Sequence, residues 1–72
     1  MSISSACEYV RRTPDREIAV VVIGSRPKCV SISYMRKIRH YIRRGAVLAG
    51  IYDCRVPREW IERDLINAGA KA

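Results

Sequence analysis

Hydrophobic and polar positions follow two different periods along the chain, and each change of period marks an expected element. Ile3, Ala6, Cys7 and Val10 recur at helical spacing and predict a short helix over 2–12, with Ser5 and Glu8 at capping-box spacing. Thr13-Pro14-Asp15-Arg16 breaks the pattern, as a turn or as the first turn of another helix. Ile18-Ala19-Val20-Val21-Val22-Ile23 then has five β-branched residues in six. Their restricted χ1 favours a buried strand over 17–23, although periodicity alone leaves a buried helix open. Gly24-Ser25-Arg26-Pro27 has turn composition. In the following Lys28 to Ile32, Val30 and Ile32 fall on one face and Cys29 and Ser31 on the other. Residues 17–23 and 28–32 therefore predict a β-hairpin.

The period returns to helical over 33–44. At about 100° per residue, Tyr34, Met35, Ile38, Tyr41 and Ile42 gather in an arc of about 120°. Arg36, Lys37, Arg39, His40, Arg43 and Arg44 take the opposite arc. Ser33 is the expected N-cap and Gly45 the expected left-handed stop. An apolar run, Ala46 to Tyr52, fits a short strand or a wing, and Asp53-Cys54 a turn. Pro57 opens a last helix to Ala68, with Ile61, Leu65 and Ala68 inside, Trp60 anchored on the flank, and a frayed end at 70–72 after Gly69. The expected fold is one α+β domain spanning residues 1–72: helix, β-hairpin, basic helix, short strand, helix. A compact winged helix-turn-helix is the alternative.

Charge sharpens this picture. The chain has 14 Lys+Arg against 7 Asp+Glu, a formal +7, and no acidic residue between Ile18 and Tyr52. Seven cations lie in that stretch, Arg26, Lys28, Arg36, Lys37, Arg39, Arg43 and Arg44, while the remaining 37 residues carry seven cations and seven anions. A solvated face on an ordinary core helix would show the same helical pattern. A field of one sign, however, calls for an anionic partner: nucleic acid first, then an acidic protein surface or an anionic membrane. The membrane is disfavoured because the apolar arc of 33–44 is needed for the core. For the same reason Tyr34 and Tyr41 read as core residues and not as stacking platforms. The longest apolar run, Ile18 to Ile23, is far too short to span a bilayer, and the N-terminus has no signal-peptide pattern, so a cytoplasmic location is expected.

Catalytic and metal chemistry find little footing. No glycine-rich phosphate loop, recognisable nucleophile–base spacing or carboxylate pair within an apolar pocket is present. Cys7, Cys29 and Cys54 are widely spaced and His40 is the single histidine, so three reduced thiols are expected, with no metal and no cofactor. At 72 residues the core is thin. Strand 17–23 is apolar on both faces, and one layer of helices covers only one of them. A homodimer covering the second face, with twofold symmetry suited to a palindromic site, is expected.

Ile38-Arg39-His40-Tyr41-Ile42-Arg43-Arg44-Gly45, a short extended piece, then Arg55-Val56-Pro57-Arg58-Glu59-Trp60-Ile61-Glu62-Arg63-Asp64-Leu65 resembles the second half of small excisionase-like and MerR-like winged-helix DNA-binding proteins of phages and mobile elements. Glu17 to Gly24 is similar to the Glu-x-Ala-x-x-x-x-Gly of the motif's first helix. The resemblance implies major-groove contacts from Lys37, Arg39, His40, Arg43 and Arg44, with Arg55 on a wing. The expected function is a non-enzymatic regulator that binds duplex DNA through Arg26, Lys28, Arg36, Lys37, Arg39, His40, Arg43, Arg44 and Arg55. The alternative is a small basic inhibitor or adaptor on the acidic surface of a host protein.

Overall fold

In the computed structural model, which describes residues 1–71, the β-branched run Ile18–Ile23 is strand β1, the centre of a three-stranded antiparallel sheet. Helix α1 (Ile3–Arg11) precedes it, and β2 (Arg26–Ser31), α2 (Met35–Arg43), β3 (Val47–Tyr52) and α3 (Arg58–Asn67) follow. The strand order is β2-β1-β3. Both outer strands run antiparallel to β1, hence parallel to each other, and α2 is the crossover between them. The expected helix–hairpin–helix–strand–helix layout is the observed one.

The central place of β1 follows from its sequence. A strand apolar on both faces is stable only where both faces are covered, and Ile18 through Val22 are all buried. Ile18, Val20 and Val22 face α1 and α3, in a core with Ala6, Cys7, Val10, Tyr52, Ile61, Leu65 and Ala70. Ala19 and Val21 face α2, in a second core with Val30, Ile38 and Ala46. The second face, expected to need another copy of the chain, is thus covered by the chain's own basic helix. The segment matching the first helix of a helix-turn-helix is β1 itself, and one strand stands between α2 and α3 where a two-stranded wing was the alternative.

Several local expectations shift. The hairpin turn is two residues, Gly24 and Ser25, both left-handed at φ 53° and 70°. That geometry matches the twist of the flanking strands, so Arg26 and Pro27 belong to β2, with Pro27 opposite Val22. A proline is tolerated there because β2 is an edge. The cap of α1 is Ser2, which accepts from the Ser5 N–H at 3.0 Å, so Ser5 lies inside the helix. Ser33 does not cap α2; its hydroxyl lies 3.0 Å from that of Ser31, and the helix starts after Tyr34. The expected fraying does not extend to 70 and 71: Ala70 is buried, and the Lys71 N–H donates to the Ser25 carbonyl at 3.0 Å. Ala72 lies outside the described residues.

On β3, Gly50 is required by close approach. A Cβ there would lie 2.5 Å from the Tyr52 Oη, because the Tyr52 ring passes over Gly50. From there the Tyr52 hydroxyl donates to Asp64 Oδ2 on α3 at 2.8 Å. Burial, reinforced by that bond, pushes the Tyr52 phenol well above its ordinary pKa.

Candidate nucleic-acid interface

Helix α2 lies over β1 and β2 and does not reach across β3. That footprint decides which of its apolar residues are covered. Ile38, in the middle of the helix, is buried against Ala19, Val21, Val30 and Ala46, with Tyr41 partly covered beside it. Tyr34, Met35 and Ile42 sit at the ends or on the β3 side and remain exposed, Tyr34 at 62%. The reading of Tyr34 as a core residue is corrected: it precedes the first helical turn and points to solvent. Trp60, expected to anchor the core, is also more than half exposed at 55%.

The polar arc of α2 carries Arg36, Lys37, Arg39, His40, Arg43 and Arg44, all exposed. Arg26 and Lys28 join them, since they alternate with Val30 on the side of β2 that faces α2. The Lys28 Nζ stands 5.4 Å from the Tyr41 ring centre, and the His40 ring meets the same ring edge-on at 6.0 Å. Cation–π contact of this kind ties the β2 cations to the helix. One side of the molecule therefore gathers eight of the nine expected contact residues.

Arg55 is the ninth and stands apart. It lies in the loop between β3 and α3, with its guanidinium 3.2 Å from Asp53 and its N–H donating to the same carboxylate at 2.9 Å. These two bonds hold the Asp53 carboxyl below the usual carboxylate range. Asp15, Arg16 and Glu17 share that cleft. Arg55 is part of a mixed-charge loop and not of the basic face.

Electrostatically the two sides differ in kind. Among the described residues the ion pairs are Arg12–Glu8 at 3.1 Å, Arg58–Glu8 at 3.6 Å, Arg58–Glu62 at 2.7 Å and Arg55–Asp53 at 3.2 Å. None of them involves a cation of the 26–44 segment. Seven charges of one sign are left to solvent there, and Arg guanidinium can meet phosphate or a guanine edge through paired N–H donors.

The cysteines lie elsewhere. Cys7 is buried and Cys29 half-buried on the α1 side of the sheet, and burial pushes the Cys29 thiol up to about 11. Cys54 is in the loop with Arg55, and His40 is on the opposite face, so the four do not converge. No helix of the described residues is long and apolar enough to cross a membrane. No family model, curated protein or solved structure matches the chain.

Proposed function

We propose that this chain is a non-enzymatic regulator that binds duplex DNA through its α2 face and acts in the cytoplasm, where its three thiols stay reduced. One observation carries this reading: seven cations share a side, and the segment that supplies them, Ile18 to Tyr52, has no carboxylate, while the rest of the chain balances at seven and seven. About five of the seven cations Arg26, Lys28, Arg36, Lys37, Arg39, Arg43 and Arg44 neutralise backbone phosphates, and one or two side chains of α2 read base edges in the major groove.

The test is a mobility shift with random duplex DNA at 50 mM salt, followed by a salt titration. With about five phosphate contacts, log K falls against log salt with a slope of about −4 to −5. Absence of duplex binding at that salt, together with tight binding to an acidic protein, would replace this reading with the inhibitor one.

A further inference from the structure

The sheet has two free edges, and they are built differently. The β2 edge carries Arg26, Pro27 and Lys28 in succession. Charge and proline are the usual means of preventing an edge from pairing with another chain. The β3 edge, Val47–Tyr52, has neither. It also exposes large apolar side chains on both of its faces: Leu48 and Ile51 on the α2 side, where α2 stops short, and Val47 on the other.

We infer that the β3 edge pairs with the β3 edge of a second copy, antiparallel across a twofold axis. The register can be derived. A bulge at Ala49 lies between the pairs Val20–Gly50 and Val21–Leu48. It shifts the alternation by one, so that Leu48 and Ile51 face the same side, as do Val47 and Tyr52. A twofold axis between positions 49 and 50 then sets Leu48 opposite Ile51 of the second copy and Val47 opposite its Tyr52. Shifting this register by one residue would set a residue of one face against a residue of the other.

The area sets the strength. A six-residue edge is about 20 Å long and, with α3 on one side and only the Leu48 and Ile51 side chains on the other, about 15 Å deep, giving roughly 600 Å² of contact plane for the two copies together. That is the size of a weak, reversible interface. Trp60 adds to it: it lies one turn before Asp64, which binds Tyr52, and so on the side of α3 that flanks β3. Because β2 is blocked, pairing stops at two copies. The product is a six-stranded sheet with both α2 helices on one face. The use of that doubled basic face for DNA rests on the function proposed above; the pairing does not.

The experiment is sedimentation equilibrium of the whole chain without nucleic acid, in 0.5 M salt to screen the +7 on each copy. The mass should rise from 8.2 kDa toward twice that value between about 10 and 300 μM, with the emission of Trp60, the single tryptophan, moving to shorter wavelength. Leu48→Lys and Ile51→Lys, both at exposed positions, should remain monomeric with unchanged circular dichroism. Ile66→Lys, exposed on α3 beside Ile3 and Ser4, should associate like the wild type. A wild-type chain that stays at 8.2 kDa throughout overturns the inference, as does association that survives Leu48→Lys and Ile51→Lys. Loss of DNA binding by Arg39→Ala with association intact would bear only on the functional reading.

Discussion

The two faces of β1 differ in what supports them. On one, α1 and α3 close a core of ten buried residues that includes Ile18, Ile61 and Leu65, all at zero exposure. Its outer surface mixes signs, with Glu8, Arg12, Arg58 and Glu62 paired. On the other, α2 alone closes a core of five, and every charged side chain of α2 is a cation. The first face can hold the domain together while the second is held by it. A helix whose repelling charges cost stability is tolerable because most of the apolar area is buried on the other side of the sheet.

The largest effect that follows is on folding. Leu65→Ala, in the larger core, should cost about 2–5 kcal/mol, enough to unfold a domain of this size. Ile38→Ala, with less packed around it, should fall near the lower end of that range, and half-exposed Ile42→Ala should stay within about 1 kcal/mol. Urea denaturation ranks the three; Ile38 costing more than Leu65 would reverse the assignment of the two faces. Gly50→Ala comes next, at about 1–3 kcal/mol, since the added methyl displaces the Tyr52 ring. Tyr52→Phe, which loses only the bond to Asp64, should cost about 1 kcal/mol, and should leave most of the strain of Gly50→Ala in the double variant, because the ring Cζ, 2.6 Å from the added Cβ, remains.

Substitutions on the basic face should act on binding and leave folding alone. Arg39→Ala with Arg43→Ala should reduce the salt slope of duplex binding by about 2 at an unchanged melting temperature. Arg12→Ala with Arg63→Ala, on the neutral face, should leave the slope as it is. Equal losses from both pairs would dissolve the distinction between the faces.

The pH effect is smaller. The Cys29 thiol, raised from 9.0 to about 11 by burial, keeps its proton longer in the folded chain than in the unfolded one. Its contribution is therefore complete below pH 9 and is lost as pH rises through 11. Unfolding midpoints at pH 8 and 10.5 should converge more closely in Cys29→Ala than in the wild type. Least of all, Ser25→Gly should stabilise by about 0.5 kcal/mol, because glycine takes the left-handed conformation without a Cβ penalty.

Much of this arrangement is legible in the chain. The β-branched run fixes β1 as a strand, the alternation of Val30 and Ile32 against Cys29 and Ser31 fixes the faces of β2, and the helical repeats of 3–10 and 58–67 fix which residues α1 and α3 bury. These are local regularities, and local sterics and hydrophobic period carry them. The segregation of charge is likewise a property of the sequence alone. The tertiary structure decided what depends on how far an element reaches across its neighbours. Residues Tyr34, Met35 and Ile42 lie on the apolar arc of α2 yet stay exposed, because that helix sits over two strands of three. Arg55, close in sequence to the basic run, is withdrawn from it by Asp53. Strand β3, an ordinary apolar run on paper, becomes an open edge because α2 crosses to the far side of β1 before β3 begins. Periodicity assigns a side chain to a face of its own element; only the packing of elements determines whether anything stands opposite that face.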